Sequence, residues 1–179
     1  DHAFFDFSNY KSVALCGRSG SGKTTLLSIL SGLDLNYDGQ YYFENELLKK
    51  SRNSMADYRL KKVGVISQDF KLLEDRNVYE NLAFPLRIFK INSKEIHSLI
   101  EGVLTTFNLN HLSKEYPATL SGGEKQRIAI ARALIKKPLY IFADEPTSEL
   151  DEETEKKVLN IFESYQNKGI KFLIATHSK

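Results

Sequence analysis

The sequence predicts an α/β fold with a mainly parallel sheet flanked by helices. Short apolar runs end in glycine or polar turns and alternate with segments of helical periodicity, the pattern of buried strands and their connecting helices. Three such runs are residues 12–16 (SVALC), 139–143 (LYIFA) and 171–176 (KFLIAT). At 179 residues the chain has the length of one compact domain.

The elements follow one another in a strand-loop-helix order. Residues 23–33 follow the first run after a glycine-rich turn and carry leucine or isoleucine at helical spacing. Residues 63–67 form a further short strand, and a polar stretch at 152–166 predicts a helix between the last two strands. We therefore expect buried central strands connected by helices.

Between residues 69 and 137 the pattern is helical, with little alternation of period two. Helices are predicted at 81–89, 93–107 and 124–136. We expect one domain, residues 1–179, with a core of about 1–68 and 138–179. A helical subdomain of about 69–137 would be inserted between Gln68 and the strand that ends in Asp144-Glu145.

Composition excludes several classes of protein. There are 25 basic and 23 acidic residues, a net charge of +2, and the Lys-Lys pairs are spread over different elements, so no nucleic-acid partner is expected. The single cysteine, Cys16, allows neither an intramolecular disulfide nor a multi-cysteine metal site, which fits a reducing cytoplasm. No apolar run approaches the roughly 20 residues that cross a bilayer, and no secretion signal is recognisable.

The only methionine is Met55, so Asp1 is not expected to be the start of translation. We expect the chain to be a piece of a longer protein that lacks N- and C-terminal parts of a full-length domain.

Residues 17–24 (GRSGSGKT) match the pattern G-x-x-x-x-G-K-[ST] between a predicted strand and a predicted helix, the context that a phosphate-binding loop (P-loop) requires. Glycines allow backbone N–H groups and the helix N-terminus to surround phosphate oxygens. Lys23 would add positive charge at the β- and γ-phosphates, and Thr24 would offer a hydroxyl to Mg²⁺. The alternative is a glycine-rich turn with a chance lysine. It is disfavoured because all four specified positions of the pattern are matched between a predicted strand and a predicted helix.

Asp144 and Glu145 follow the run at 139–143. Ligands of open α/β sheets bind at the carboxyl ends of the strands, so Asp144 could hold Mg²⁺ and Glu145 could polarise an attacking water. Alone, such a pair is more often a turn or a helix cap. The P-loop earlier in the chain favours the catalytic interpretation.

Residues 120–127 (LSGGEKQR) stand directly before a predicted helix. Ser121 and Glu124 have the spacing of a capping box, so the segment could be only a well-capped helix. That interpretation leaves Gly122 and Gly123 unexplained, because paired glycines weaken a helix start. A second anion site would explain them.

These motifs, in this order, resemble the ATP-binding cassette (ABC) ATPases. The resemblance extends over essentially the whole chain and rests on residues 17–24, Gln68, 120–127, Asp144-Glu145, 148–151 and His177. Residues 68–73 and 78–82 further resemble the bacterial branch that includes lipoprotein-release, macrolide-efflux, bacitracin-resistance and cell-division ATPases.

The resemblance implies an ATP hydrolase that uses ATP and Mg²⁺. The implied ATP-binding residues are Gly17, Arg18, Ser19, Gly20, Ser21, Gly22, Lys23, Thr24 and Thr25. Thr24, Gln68 and Asp144 would place Mg²⁺. Glu145 would be the general base or the group that orients the water, Gln68 would report the γ-phosphate to the helical insertion, and His177 would sense the γ-phosphate.

A second subunit is also implied. The residues that would contact the ATP of that subunit are Ser121, Gly122, Gly123 and Glu124. Asp151 would lie at the dimer seam. The implied partners are a second ATPase subunit, identical or paired, and an integral-membrane permease, which would place the chain at the cytoplasmic face of the membrane. The alternative is an ABC ATPase that acts on a soluble macromolecular partner rather than in transport.

The sequence departs from the family near its start and in the turn before the helix at 152–166. The family stacks adenine on an aromatic residue far upstream of the P-loop, whereas only 16 residues precede Gly17 here. The nearby aromatic residues, expected instead in a core strand, are Phe4, Phe5, Phe7 and Tyr10. Ser148-Glu149 replaces the Gly-Asn that this branch often carries, with a mild effect expected.

The segment after Gln68 contains Phe70, Leu72 and Leu73, more apolar surface than an exposed connector needs. One interpretation is a docking groove for an amphipathic helix of the permease. The other is that these side chains fill the seam between the helical part and the sheet.

Overall fold

The computed structural model describes residues 4, 6–7, 9–18 and 20–177. In the described part of the chain the strands are β1 (Ser12–Cys16), β2 (Tyr42–Phe43), β3 (Glu46–Leu47), β4 (Val63–Ile66), β5 (Tyr140–Asp144) and β6 (Lys171–Thr176). The α-helices are α1 (Lys23–Leu30), α2 (Arg52–Lys61), α3 (Val78–Ile88), α4 (Ser93–Thr106), α5 (Gly122–Leu134) and α6 (Glu152–Asn167). Two short 3₁₀ helices, Asn110–Leu112 and Pro117–Thr119, connect α4 to α5.

The main sheet has four strands in the order β1-β6-β5-β4, and every neighbouring pair is parallel. Cys16 is in register with Thr176, and Asp144 with Ala175. Parallel register brings the carboxyl ends of the strands to one edge of the sheet, where ligands of open α/β sheets bind. The mainly parallel α/β fold predicted from the sequence is confirmed, and β1, β4, β5 and β6 all deliver candidate site residues to that edge.

The core forms two clusters, one on each side of the sheet. The larger joins residues of α3, α4, α5 and α6 to Ile66, Ile141 and Phe172 of the sheet. The smaller contains Leu27 of α1 and residues of α2 and of the antiparallel β2–β3 hairpin. The helices inserted between β4 and β5 therefore share a continuous core with the strands.

Helix α1 ends at Leu30, three residues before the predicted end. Gly32 adopts a φ of 72°. The N–H groups of Gly32 and Leu33 donate to Ile29 O and Ser28 O at 2.9 Å each, which is the Schellman pattern of a helix C-terminus. A left-handed glycine stops the helix although leucines continue the apolar spacing.

Two other helices begin earlier than predicted because side chains cap them. The Asn77 side chain accepts a hydrogen bond from Glu80 N, so α3 begins at Val78 rather than at residue 81. Ser121 accepts from Glu124 N, so α5 begins at Gly122 rather than at residue 124. Cap geometry, rather than apolar spacing, fixes these starts.

The expectation that the aromatic residues near the N-terminus form a core strand is wrong for two of them. Phe4 is 94% exposed and Tyr10 is 58% exposed, and no strand precedes Ser12 among the described residues. Phe7 is the buried one among those that the structure describes, against Tyr140 with ring centroids 5.5 Å apart, but it does not lie in a strand. Phe5 lies outside the described residues.

Within the described ranges, the helices are all too short or too polar to cross a membrane.

Candidate active site

The N-terminus of α1 differs from those of the other α-helices. The helices α2 to α6 are each preceded by an N-cap Ser, Asn or Asp whose side chain accepts a backbone N–H. The N-cap of α1 is Gly22, with a φ of 88°, so this helix has no side-chain cap, and it has no acidic residue in its first turn. Its N–H groups and positive dipole end are therefore available to an anionic ligand.

The loop before α1 is a tight turn in which Gly17 lies close to the Ser21 side chain. A Cβ atom on Gly17 would lie 2.9 Å from Ser21 Oγ, and Gly20 has a φ of 79°. Ser21 N donates to Arg18 O at 3.2 Å, which closes a turn. Ser19, a predicted ATP-binding residue, lies outside the described residues, and Thr25 is exposed in the first turn of α1.

Lys23 lies over this loop. Its ammonium donates to Gly17 O at 2.7 Å and to Arg18 O at 3.2 Å. Backbone carbonyls of the loop thus hold a positive charge beside the uncapped helix end. The combination of exposed amides and a lysine suits a polyphosphate.

Thr24 and Asp144 are brought into direct contact. The Thr24 hydroxyl donates to Asp144 Oδ2 at 2.6 Å, and Asp144 is buried. Both residues and Gln68 line one cavity of about 490 Å³. The described residues contain no group of three or more His, Cys, Asp or Glu side chains that could by themselves surround a metal ion. One carboxylate beside a hydroxyl is enough for Mg²⁺, because this ion keeps several waters and takes further ligands from phosphates.

Glu145 and His177 form a second contact at the same edge. His177 Nδ1 lies 2.8 Å from Glu145 Oε1, with the Glu145 side chain only 14% exposed and the His177 side chain 70% exposed. The Thr176 hydroxyl donates to the other carboxylate oxygen at 3.3 Å. A half-buried carboxylate oriented by an imidazole is placed to accept a proton or orient a water.

The sequence analysis missed Gln126. This residue is 1% exposed, and its amide donates to Glu145 O and accepts from Glu149 N, both at 2.9 Å. Glu145 has a φ of 47°, a left-handed conformation that costs free energy unless neighbours enforce it. Gln126 therefore fixes the backbone that presents the candidate base. A glutamine within an otherwise apolar helix face was the available signal.

The start of α5 has the predicted capping box. Ser121 Oγ accepts from Glu124 N at 3.3 Å, and Glu124 Oε2 accepts from Ser121 N and Oγ at 2.8 Å each. These hydrogen bonds, led by that of the Ser121 N–H, lower the pKa of Glu124. Gly123 has a reason within one chain, because a Cβ there would lie 3.1 Å from the backbone Glu149 O. A Cβ on Gly122 would lie 2.9 Å from Glu149 Oε2, the end of an exposed side chain that can move aside.

Asp151 has a local role that the sequence analysis did not assign. It is the N-cap of α6, accepting from Thr154 N at 2.9 Å and from the Thr154 hydroxyl at 2.8 Å. The hydrogen bond from the Thr154 N–H lowers the pKa of Asp151. The carboxylate is exposed at the surface.

The turn after Gln68 is held by the half-buried Arg132 and the buried Asn81. Phe70 and Lys71 both have positive φ, and the Arg132 guanidinium donates to their carbonyls at 2.8 Å each. Asn81, fully buried, accepts from Leu73 N at 2.8 Å. Leu72 is half-buried and packs against the larger core cluster, which supports the packing interpretation for this residue.

Comparison with known proteins gives one consistent family. The ABC transporter family matches residues 1–148. The chain is 37% identical over 163 residues to the cell division ATP-binding protein FtsE of Escherichia coli, covering 91% of this chain and 73% of that protein. It is 43% identical over 165 residues to the lipoprotein-releasing system ATP-binding protein LolD of Buchnera aphidicola, covering 91% and 72%.

Solved structures agree with the sequence comparison. The dimeric structure of MJ0796, described as a bacterial ABC transporter cassette, matches with a TM-score of 0.88 at 32% identity, over 94% of this chain and 75% of that one. A dimeric post-hydrolysis state of the same cassette, bound to ADP and Pi, matches equally well. The chain therefore belongs to the ABC transporter family, as an ATP-hydrolysing nucleotide-binding domain.

Proposed function

We propose that this chain powers a membrane permease, and that it hydrolyses ATP when two copies associate head to tail around the nucleotide. The observation that carries the proposal is the convergence of Lys23, the Thr24–Asp144 contact and the Glu145–His177 contact at one edge of the sheet. A phosphate cradle, a cation ligand and a base are the parts that phosphoryl transfer to water requires.

The P-loop amides and Lys23 bind the phosphates. Thr24 and Asp144, with Gln68 on the same cavity, hold Mg²⁺, which when bound neutralises phosphate charge. Glu145 accepts a proton from the attacking water, and His177 orients its carboxylate and contacts the γ-phosphate.

The second copy contributes the start of α5. Ser121 and Glu124 are capped within the chain, and the dipole of α5 directs partial positive charge outward at this end. In the proposed dimer this end, with Gly122 and Gly123, contacts the ATP held by the partner, and Asp151 lies at the seam. The dimeric MJ0796 cassette supports this arrangement.

The permease proposal is supported by the relatives. FtsE is named as a cell division ATP-binding protein, and LolD as part of a lipoprotein-releasing system. We assign this chain a peripheral position at the cytoplasmic face of the membrane. We also propose the division into a core of about 1–68 and 138–179 and a helical subdomain of about 69–137.

Two substitutions in the full-length protein test the proposal. Lys23→Ala should remove most ATP affinity in calorimetry without unfolding the chain, whereas Lys94→Ala, at an exposed position on α4, should leave it unchanged. Glu145→Gln should still bind ATP but hydrolyse it at least about a hundredfold more slowly, and light scattering should show ATP-dependent dimers. Wild-type turnover by Glu145→Gln would refute the catalytic assignment. Purification of the full-length protein from membranes without any copurifying permease would refute the transport assignment.

A further inference from the structure

The carboxylate of Glu149 lies against the start of α5. A Cβ atom built on Gly122 would meet Glu149 Oε2 at 2.9 Å, and the Cδ and Cβ atoms of the same side chain at 3.6 Å and 3.7 Å. The side chain therefore extends along the first residue of the helix. Because the Cα–Cβ bonds of a helix tilt towards its N-terminus, this carboxylate lies beside the N-terminal end of α5.

The backbone of Glu149 is fixed in this place from two sides. Its N–H group donates to Gln126 Oε1 at 2.9 Å, and Gln126 is 1% exposed. Its carbonyl oxygen lies so close to α5 that a Cβ on Gly123 would meet it at 3.1 Å. The residue as a whole is nevertheless exposed. Glu149 thus has a fixed backbone beside the helix and a side chain that is free to rotate.

Within the described residues, no cation forms an ion pair with this carboxylate. The ion pairs of that part of the chain do not include Glu149. Arg127, on the same helix as Gly123, donates instead to Phe107 O at 3.2 Å and to Gly123 O at 3.4 Å. The helix end is therefore the positive group that the Glu149 carboxylate contacts.

This end of α5 has two N–H groups to spare. The Glu124 N–H donates to the Ser121 hydroxyl, and the Ser121 N–H donates to the Glu124 carboxylate. The N–H groups of Gly122 and Gly123 find no acceptor in the part of the chain that the structure describes. In the single chain, the carboxylate of Glu149 therefore adds to that of Glu124 in complementing the positive end of the helix.

The proposed dimer brings another anion to the same end, the γ-phosphate of the ATP that the partner holds. Like charges that meet in an interface oppose association. The Glu149 carboxylate has to rotate into solvent before the phosphate reaches the N–H groups of Gly122 and Gly123. Association is therefore weakened both by the repulsion and by the loss of the contact between Glu149 and the helix end.

We infer that Glu149 limits the ATP-driven association of two copies. It stabilises the start of α5 in the single chain, and it opposes the approach of the partner's γ-phosphate to that start. The inference rests on the proposed head-to-tail dimer, and it adds a residue that sets how readily ATP closes this dimer. The branch that the chain resembles often carries Asn at this position, a side chain without charge.

Removing the charge of Glu149 has two consequences of opposite sign. The single chain loses a favourable interaction with the dipole of α5, so its stability decreases. The dimer loses a repulsion, so its affinity increases. A residue that only supports the local packing would not strengthen the dimer when it is changed, and the pair of effects therefore separates the two roles.

The test uses the full-length protein with Glu145→Gln, in which slow hydrolysis preserves the ATP dimer, and follows association by light scattering. Adding Glu149→Gln, which keeps the shape of the side chain, should tighten the dimer by at least about tenfold. It should also lower the melting temperature of the nucleotide-free chain by about one degree. Glu149→Asp, which keeps the charge, should resemble the parent. The matched control is Glu163→Gln, at an exposed position far along α6, which should change neither quantity.

Salt gives a readout that a change in packing would not alter. The Debye length falls from about 10 Å at 0.1 M salt to about 3 Å at 1 M, so the gap in affinity between the parent and Glu149→Gln should shrink to about twofold at 1 M. A gap that is absent at low salt, reversed in sign or independent of salt would overturn the inference. If the parent forms no ATP-dependent dimer, the proposed dimer itself fails, a result distinct from a dimer that is indifferent to Glu149.

Discussion

Thr24 and Asp144 are 120 positions apart in the chain, yet the Thr24 hydroxyl donates a 2.6 Å hydrogen bond to the Asp144 carboxylate. The contact joins the first turn of α1 to the carboxyl end of β5. It exists because β1 and β5 both pair with β6 in parallel, so the loop after β1 and the end of β5 open at one edge. The candidate cation site is thus a direct product of the sheet order.

Asp144→Asn should separate cation binding from nucleotide binding. The amide keeps the shape and can still accept from Thr24, but it removes the charge that attracts Mg²⁺. We expect the ATP affinity measured with Mg²⁺ to fall about tenfold to a hundredfold, with little change when a chelator is present. Asp57→Asn, on the exposed face of α2, is the control. Equal losses with and without Mg²⁺ would show that Asp144 supports the loop rather than the cation.

The P-loop glycines should be intolerant of side chains for conformational reasons. Gly22 has a φ of 88° and no atom within 4 Å of a Cβ, so Gly22→Ala adds strain without a clash. We expect a loss of about 1 kcal/mol in the free energy of unfolding and weaker ATP binding. Gly102→Ala is the matched control in helix α4, where a Cβ also meets nothing. That substitution should stabilise by about 0.5–1 kcal/mol; a Gly22→Ala variant as stable as Gly102→Ala would contradict the assigned backbone.

The central strands and the motif-bearing loops could be predicted because their signals are local. Apolar runs and glycine spacing lie within a few residues of the structures they specify. Helix α2 was missed, since its sequence is mostly polar and only Met55 and Tyr58 are buried, too few anchors for a visible periodicity. Its packing becomes apparent only when Gly32, whose Cβ would lie 3.1 Å from Met55 Sδ, is brought beside it by the fold.

The contacts that the supporting residues of the site make could not be predicted, for a different reason. Gln126 and Arg132 are polar residues on a helix, a pattern that favours solvent exposure. Their partners are backbone carbonyls of Glu145, Phe70 and Lys71, groups that carry no side-chain signal in the sequence. Residue types reveal the chemistry of such a site, whereas its positioning depends on tertiary contacts.

Arg132 should be important for stability as well as for the turn after Gln68. Arg132→Gln leaves the carbonyls of Phe70 and Lys71 without their donor while both residues keep a left-handed conformation. We expect a loss of about 2 kcal/mol in urea unfolding. Arg132→Lys, whose ammonium can donate to one carbonyl at a time, should have a free energy of unfolding between those of the wild type and Arg132→Gln. Unchanged stability of both variants would indicate that the turn needs no clamp.

Lys136 predicts a pH dependence with a defined sign. Its pKa is about 8 in the folded chain and returns to the ordinary value of 10.5 on unfolding. Between these values the unfolded chain binds the additional proton, so the free energy of unfolding increases as the pH rises from about 8 towards 10.5. The measurement is the free energy of unfolding of the wild type minus that of Lys136→Met. This difference should become more positive as the pH rises over this range. A constant difference would show that the lysine titrates normally.

The central claim is that each ATP site is completed by a second copy, and mixed dimers can test it. The two variants to be mixed are Glu145→Gln, which disables the base, and Ser121→Asp, which keeps an N-cap residue but places a negative charge towards the partner's phosphate. Asn92→Asp makes the same kind of change at the cap of α4 and serves as the control.

The decisive measurement is the ATPase rate of the full-length variants, alone and mixed. Each variant alone should be nearly inactive. A mixed head-to-tail dimer contains one site with an intact Glu145 and an intact Ser121 from the other copy, so mixing should restore activity, up to about a quarter of the wild-type rate by random pairing. Mixtures that form dimers but remain as inactive as the separate variants would contradict a site shared between two copies.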